Sequence, residues 1–300
     1  MTWGFGVVGF IIGIHLGSLA LALAHRSLEN RTFFGRSSCP HCNHKLSGFD
    51  LIPIISYLAL GGKCRYCHKK IKIEYILVEL VMGLALGLTF YFSFLKLPVS
   101  PDQYGLVNFL FDLILKTFMI TVLMIVAITD LKKTLIPDRI TYPAAVIVLV
   151  SLVAISAYRI WVLFQSLNAN SVGNFLIFKT DYFLRHAFLT ALPLWGGIIM
   201  ALVLGLAFLL LIVLTKGRGM GGGDLKLGIL IGLFFGFPQA LVSIMLAFFL
   251  GSIFAIALII FGKKRFGQTI PFGPFLSLGA FLTILYGGQI MDWYLNFKLI

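Results

Sequence analysis

Two aspartates lie at the ends of apolar or glycine-rich runs. If such runs lie in a membrane, a charged side chain beside them is costly and usually has a function. Asp130 follows the apolar stretch 117–129, and Asp224 follows the glycine-rich stretch 217–223. Two carboxylates that share a proton can activate water for peptide hydrolysis, one as base and the other as acid. The glycines leave room beside Asp224 for an extended peptide backbone. Taken alone, each aspartate is better explained as an ordinary interfacial cap. The prediction of a catalytic pair therefore depends on both residues lying at the same depth in a membrane.

The cysteines form a second candidate site. All four lie in one short segment as two C-x-x-C pairs, Cys39 with Cys42 and Cys64 with Cys67. This paired spacing is typical of a tetrahedral zinc site, and the metal would stabilise a segment too short to fold on its own core. Four thiolates leave no open position for water, so we predict structural zinc. Two disulfides or four free thiols are the alternatives, and a reducing cytosol would disfavour the disulfides.

The composition identifies the setting in which these residues act. Apolar residues make up 59% of the chain and charged residues 12%, and there are 29 Phe. An ordinary soluble domain has roughly 25% charged residues. The composition therefore excludes a soluble globular protein and a disordered chain, and it indicates an integral membrane protein.

Apolar runs of about 20 residues are long enough to cross a bilayer as helices. The sequence contains seven such runs and a shorter eighth run: 3–25, 75–97, 107–130, 140–164, 188–214, 239–261, 273–295 and 225–237. We therefore predict an all-α polytopic membrane protein with about eight transmembrane helices. Its predicted parts are a first transmembrane helix at 1–25, a cytoplasmic zinc-binding segment at 26–74 and a transmembrane core at 75–300.

The distribution of basic residues predicts the orientation. Lys and Arg number nine in 26–75 and three in each of the loops 131–139, 215–226 and 263–265, which is 18 of the 24 in the chain. Cytoplasmic loops carry such an excess, so these loops should face the cytoplasm and both termini the outside. The run 225–237 must then cross the membrane. Asp130 and Asp224 would lie at the same depth on the same side, and the net charge of +13 reflects topology rather than nucleic-acid binding.

Three other polar residues in the apolar runs have simpler explanations. Asp112 has Lys116 one helical turn away, and it lies about 27 Å along the helix from Asp130. Glu79 is either a buried structural acceptor or a third acid near the site, and we favour the structural role. His15 is expected to pack rather than to catalyse.

The chain resembles the prepilin peptidase (type IV leader peptidase) family, a group of G-x-G-D intramembrane aspartic proteases. The resemblance spans residues 38 to 275 in family order. Its motifs are Ser38-Cys-Pro-His-Cys42, Asp50-Leu-Ile-Pro-Ile-Ile-Ser-Tyr57, Gly62-Lys-Cys-Arg-Tyr-Cys67, Glu74 to Glu79, Asp130 with Ile136-Pro-Asp138, Met220-Gly-Gly-Gly-Asp-Leu-Lys-Leu227 and Pro271-Phe-Gly-Pro-Phe275.

The resemblance implies an activity and a place in the cell. It implies that Asp130 and Asp224 are the catalytic pair, and that type IV prepilins or pseudopilins are cut after the glycine that ends their basic leader. It also implies methylation of the new N-terminus with S-adenosylmethionine, in the bacterial inner membrane. The chain departs from the family at Leu21, where Asn is usual.

Two alternatives from other classes remain at this point. The first is an ion-coupled membrane transporter with a structural zinc knuckle, in which paired aspartates would carry protons. Such acids more often lie near the midplane and in related repeats, and the sequence shows neither feature. The second is a thiol oxidoreductase, whose cysteines would be expected on the outer side.

Overall fold

The long apolar runs fold as α-helices in the computed structural model, which describes residues 2–33, 35–97, 102–169, 171–217, 219–262 and 270–297. Across those residues there are eleven α-helices and, in place of β-strands, two isolated β-bridges. The helices are α1 (Thr2–Leu28), α2 (Ile55–Ala59), α3 (Glu74–Leu95), α4 (Gln103–Lys133), α5 (Asp138–Asn168), α6 (Ser171–Lys179), α7 (Tyr182–Thr190), α8 (Leu192–Leu214), α9 (Gly222–Phe235), α10 (Gln239–Ile260) and α11 (Gly273–Phe297).

Seven of these helices are long and apolar enough to cross a membrane: α1, α3, α4, α5, α8, α10 and α11. They coincide with the seven longer apolar runs, so the prediction of an all-α, multi-pass membrane protein is confirmed. The eighth run forms α9, which has 14 residues. Its length of about 21 Å is shorter than the hydrocarbon core of about 30 Å, so a complete eighth crossing stays a prediction. The basic loop 263–265 lies outside the described residues.

The chain divides into two compact units. The first contains residues 1–98 and 116–140, and the second contains 99–115 and 141–300. Helix α4 therefore contributes its first part to one unit and its second part to the other. Asp130 and all four cysteines belong to the first unit, and Asp224 belongs to the second.

Glycines at a spacing of four residues bring α1 and α3 together in the first unit. Gly9, Gly13 and Gly17 face α3 so closely that a Cβ atom at Gly13 would lie 2.5 Å from the carbonyl oxygen of Met82. On α3, Gly83 faces α1 in the same way. Within lipid, helices associate through such close van der Waals contact between small residues, because burial from water contributes little there.

The second unit uses the same principle. Helix α8 packs on α9, α10 packs on α11, and α9 also contacts α10 and α11. A Cβ atom at Gly232 of α9 would lie 2.6 Å from the carbonyl oxygen of Met200, and one at Gly279 of α11 would lie 2.6 Å from that of Ser243. Leu227, Leu230 and the other core positions of α9 are consequently buried. This unit positions the N-terminal turn of α9, which carries Asp224.

Candidate active site and metal centre

The cysteine segment contains the same backbone motif twice, and the second copy begins 25 residues after the first in the sequence. In the first copy, the N–H of Cys39 bonds to the carbonyl of His44 at 3.0 Å, and in the second the N–H of Cys64 bonds to that of Lys69 at 2.9 Å. The isolated β-bridges Ser38 to Lys45 and Lys63 to Lys70 obey the same shift. Each copy turns through a residue with positive φ, +56° at Asn43 and +55° at His68. Each is therefore a knuckle that aims two sulfurs to one side.

The two knuckles bring all four sulfurs together. The Sγ atoms of Cys39, Cys42, Cys64 and Cys67 lie within 4.8 Å of one another, and Cys39 and Cys67 are 3.9 Å apart. Four sulfurs bound to zinc at 2.3 Å would be separated by about 3.8 Å. The cluster therefore fits a zinc ion, whereas a disulfide would need an S–S distance of about 2.05 Å. Cys39 and Cys64 are buried, as ligands in a closed site would be.

The thiols differ in how readily they ionise. Burial raises the pKa of Cys39, but the backbone N–H groups of Cys42 and His41 and the neighbouring thiols lower it to about 7. The N–H of Lys69 lowers the pKa of Cys67, but burial and the three other thiols raise it to about 11. Four thiolates at this spacing therefore need a cation to compensate their charge.

Asp50 connects the two knuckles, a role that no local pattern in the sequence indicates. Its buried carboxylate accepts hydrogen bonds from the backbone N–H and hydroxyl of Ser47 at 3.0 and 2.8 Å, from Arg65 Nε at 2.8 Å and from Tyr66 Oη at 3.2 Å. Burial raises the pKa of Asp50, but these four donors lower it below its usual value. The ring of Tyr66 also lies 3.7 Å, centroid to centroid, from that of His44 in the first knuckle. Asp50 therefore fixes the second knuckle against the chain that leaves the first.

Asp130 lies near the C-terminal end of α4 and is 5% exposed. Its backbone carbonyl accepts a hydrogen bond from Thr134 at 2.8 Å, and Thr134 has a φ of +49°, which ends the helix. The preceding Thr129 is fully buried. The carboxylate is thus held at the end of a long membrane helix, as the sequence predicts.

Charged residues next to Asp130 tie α4 to its neighbours in the first unit. Lys132 forms an ion pair with Glu74 at the start of α3, and its Nζ lies 2.7 Å from Nε2 of His25 near the end of α1. Lys133 Nζ donates to the carbonyl of Leu28 at 3.4 Å. The ends of α1 and α4 and the start of α3 therefore lie close together in the first unit.

Asp224 lies in the first turn of α9 and is half-buried. Its Oδ2 accepts a hydrogen bond from the backbone N–H of Gly221 at 3.2 Å, so the carboxylate caps its own helix. Lys226 lies over the ring of Tyr142, 5.4 Å from the centroid, which places the start of α9 beside the start of α5. A carboxylate at a helix N-terminus is stabilised by the free amides and the helix dipole.

Packing among the described residues does not explain the glycines at 221 and 222. A Cβ atom at Gly222 would have no described atom within 4 Å, and one at Gly221 would meet only Asp224 Oδ2 at 3.8 Å and the N of Gly223 at 4.0 Å. Gly221 has a φ of −88°, which any residue can adopt. Both positions are exposed. Small residues here keep the surface beside Asp224 open.

The remaining residues singled out from the sequence lie as follows. Asp112 is exposed on α4, four residues before Lys116 on the same helix. Glu79 is buried and accepts a hydrogen bond from the N–H of Ile54 at 2.8 Å, which is the role of a structural acceptor. His15 Nδ1 lies 2.8 Å from the carbonyl of Ile11. Leu21, at the position where the resemblance leads one to expect Asn, is fully buried in α1.

Comparison with known proteins identifies two regions that match family models. Residues 11–93 match the bacterial peptidase A24 N-terminal domain, and residues 117–256 match the type IV leader peptidase family. The first region contains the four cysteines and Asp50, and the second contains Asp130 and Asp224. No solved structure matches the chain significantly.

Several curated proteins are similar along most of the chain, and each is named prepilin leader peptidase/N-methyltransferase. The protein of Stutzerimonas stutzeri is 30% identical over 266 residues, which are 88% of this chain and 76% of that protein. The protein of Bacillus subtilis (strain 168) is 28% identical over 291 residues, 97% of this chain and 98% of that protein. The protein of Aeromonas hydrophila is 28% identical over 326 residues, 99% of this chain and 96% of that protein.

Proposed function

We propose a function from the premise that the chain belongs to the type IV leader peptidase family. It is a prepilin leader peptidase that removes the basic leader of type IV prepilins or pseudopilins after a glycine, by aspartic catalysis. The observation that carries the proposal is the open surface beside Asp224, where Gly221 and Gly222 admit another backbone. The relatives favour this function over an ion-coupled transporter.

Asp130 and Asp224 are the catalytic pair in this proposal. One carboxylate takes a proton from water as the water oxygen attacks the scissile carbonyl, and the other gives its proton to the carbonyl oxygen. When the tetrahedral intermediate collapses, the C–N bond breaks and the leaving amine takes a proton from the pair. The substrate backbone lies as an extended strand along 221–223, where no side chain stands in its way.

The reaction takes place at the cytoplasmic face of the bacterial inner membrane. The excess of Lys and Arg in 26–75 and in the loops after α4 and before α9 supports this orientation, with both termini outside. The cluster of Lys132, Glu74 and His25 supports it as well, because it holds three helix ends of the first unit on one side. The apolar segment of the substrate would lie in the bilayer with its leader in the cytoplasm.

Two further groups belong to the proposal. Zn²⁺ would be held by Cys39, Cys42, Cys64 and Cys67 as a structural ion, because the four sulfurs fit a closed tetrahedral site. S-adenosylmethionine would supply the methyl group for the new N-terminal amine, in keeping with the second activity that the relatives' names print.

Conservative replacement of each aspartate tests the catalytic pair. Asp130→Asn and Asp224→Asn should insert normally, because asparagine has nearly the same size and shape as aspartate, and at position 224 it keeps an acceptor for the Gly221 N–H. Cleavage of a prepilin panel should nevertheless fall by about 10²- to 10⁴-fold in each variant. The matched control is Asp112→Asn, an exposed residue far along α4 from Asp130, which should cleave normally. Normal cleavage by either Asp130→Asn or Asp224→Asn would overturn the two-aspartate assignment.

A side chain added at Gly222 tests the open surface. Gly222→Val should leave stability nearly unchanged, because no described atom lies within 4 Å of the new Cβ, but it should lower kcat/KM for prepilin. The control is Gly4→Val in α1, whose added Cβ also meets no atom within 4 Å. Unchanged kinetics in Gly222→Val would show that the substrate does not approach at 221–223.

A further inference from the structure

The segment that follows the first knuckle displays apolar side chains that its own unit leaves uncovered. Phe49 is 76% exposed, Ile55 63% and Leu58 66%. Phe49 lies in a 3₁₀ turn, and Ile55 and Leu58 lie three residues apart on α2, so both face the same way from that helix. A cluster of large apolar side chains at a soluble surface is unusual and indicates a contact surface.

The depth of this segment is fixed by a hydrogen bond to a membrane helix. The N–H of Ile54, at the start of α2, donates to the buried carboxylate of Glu79 at 2.8 Å. Glu79 is five residues into α3, about 7.5 Å along the helix from Glu74. Interfacial helices insert their apolar face about 5–10 Å into the boundary between headgroups and acyl chains, a distance comparable to that between Glu74 and Glu79 along α3.

Backbone strain shows that this attachment holds the segment in place. Ile54 has a φ of +61° and a ψ of −52°, a conformation that a β-branched residue rarely adopts. Such strain persists only where surrounding contacts impose it. Here the Glu79 carboxylate accepts the Ile54 N–H, and the neighbouring Pro53 is buried.

The charged residues near α2 indicate which kind of surface this segment contacts. Lys63, Lys70 and Lys72 follow α2 closely in the chain and are exposed. The acidic residues of 26–74 are already engaged, because Glu29 pairs with Arg31, Asp50 with Arg65 and Glu74 with Lys132. Exposed apolar side chains followed in the chain by exposed lysines, for which the described residues show no ion pair, match the acyl chains and anionic headgroups of a cytoplasmic leaflet.

We propose that residues 49–59 form an interfacial anchor, in which Phe49, Ile55 and Leu58 enter the bilayer and the lysines at 63, 70 and 72 bind anionic lipid headgroups. Glu79 sets the depth of the anchor through Ile54. The anchor holds the two knuckles against the membrane surface, independently of the chemistry that the enzyme performs.

Photo-crosslinking in lipid tests the anchor. The full-length protein would carry p-benzoylphenylalanine in place of Phe49 or Leu58, in vesicles of equal parts phosphatidylcholine and phosphatidylglycerol, with a prepilin present or absent. We expect lipid adducts at both positions, with a yield near that of the same probe at lipid-facing Leu206 of α8, which is 65% exposed. A probe at His41, exposed in the first knuckle, should give few lipid adducts.

Two results would overturn the proposal. Adducts to prepilin or to a second copy of the chain, in place of lipid, would assign the apolar cluster to a protein partner. Absence of lipid adducts at Phe49 and Leu58, with normal adducts at Leu206, would show that the segment stands away from the membrane.

The charge and the depth have their own tests. With the probe at Phe49, Lys70→Gln or Lys72→Gln should each lower the ratio of phosphatidylglycerol to phosphatidylcholine adducts about fivefold, and an unchanged ratio would refute headgroup binding. Glu79→Leu removes the acceptor for Ile54 and should reduce the adducts at Phe49, whereas Glu79→Gln keeps an acceptor and should not. Equal adduct yields in both Glu79 variants would refute its role in setting the depth.

Discussion

The contact between α1 and α3 gives the sharpest prediction for stability. Gly13→Ala should destabilise the protein, because the new Cβ would lie 2.5 Å from the carbonyl oxygen of Met82 and 2.7 Å from Cα of Gly83. Both atoms belong to the backbone of α3, so neither can rotate away. Ordinary contact begins near 3.4 Å, and the two helices would therefore have to separate locally by about 0.9 Å.

The expected magnitude follows from this separation. Overpacking of a well-packed interface costs about 1–3 kcal/mol, and the loss of close contact between the two helices adds to it because little other force joins them in lipid. Gly4→Ala on the same helix is the matched control, since its Cβ would meet no atom within 4 Å. Its effect should stay within about 0.5 kcal/mol.

Equilibrium unfolding by SDS in mixed micelles, followed by near-ultraviolet circular dichroism, measures the difference between the two variants. We expect Gly13→Ala to unfold at a lower SDS fraction than Gly4→Ala, by an amount equivalent to at least 1 kcal/mol, which is about fivefold in the equilibrium constant. Equal transitions for the two variants would refute the reasoning, because they would show that the glycine contact does not limit how closely the helices pack.

Three further predictions concern the first unit. Metal analysis should find about one zinc per chain, and Cys64→Ser should lower that content; four free thiols in a stable, zinc-free segment would contradict it. Because the folded state lowers the pKa of Asp50, its contribution to stability is complete above the unfolded pKa of about 3.9 and is lost as the pH falls through the lower folded value. Acid unfolding of the wild type should therefore be steeper there than that of Asp50→Asn, and parallel pH profiles would contradict this. Lys132→Glu should lower prepilin cleavage and the double exchange with Glu74→Lys should recover it, whereas no recovery would show that this ion pair does not position the end of α4.

The helices were predictable because lipid leaves the backbone few choices. An apolar run that crosses the hydrocarbon core must satisfy its own N–H and C=O groups, so length and hydropathy alone predicted all seven candidate spans. The short helices α6 and α7 were not predicted. They lie in the stretch between α5 and α8, which is mixed in polarity and follows no single period.

Hydropathy does not predict which helices pack against each other, and the reason is physical. Hydropathy measures transfer from water to lipid, whereas association inside lipid depends on how closely two backbones can approach. The signal was present in the four-residue spacing of Gly9, Gly13 and Gly17, and again in that of Gly228, Gly232 and Gly236. Reading that spacing would have predicted which faces of α1 and α9 are buried.

The clustering of the four cysteines was predictable, but the hydrogen bonds around Asp50 that connect the two knuckles were not. The C-x-x-C spacing predicted that four sulfurs would meet, because the pattern itself determines a knuckle. The role of Asp50 depends on Ser47, Arg65 and Tyr66 converging from different parts of the segment, which no local pattern records. The 25-residue repeat was visible only in part, since Cys39, Cys42 and Lys45 recur as Cys64, Cys67 and Lys70 while most other positions differ.

Helix α9 leads to the last prediction, which concerns the eighth crossing. Its 14 residues span about 21 Å, roughly 9 Å less than the hydrocarbon core. Neighbouring helices α8, α10 and α11 cover its buried face, so it need not match the thickness of the lipid. Helix α10 begins at Gln239, directly after the turn at Phe237, whose side chain is 71% exposed.

If α9 crosses, that turn faces the outside. A cysteine in place of Phe237 should then react in intact cells with a membrane-impermeant thiol reagent, as a cysteine in place of Asn168 at the end of α5 should. A cysteine in place of Gly217, before α9, should react only after the cells are opened, and the four native cysteines should not react from outside. Labelling of Phe237→Cys only in opened cells, with Asn168→Cys labelled normally, would make α9 re-entrant. The basic residues after α10 would then lie on the opposite side from those before α9, and the orientation proposed for Asp224 would rest on the 15 Lys and Arg of 26–75, 131–139 and 215–226.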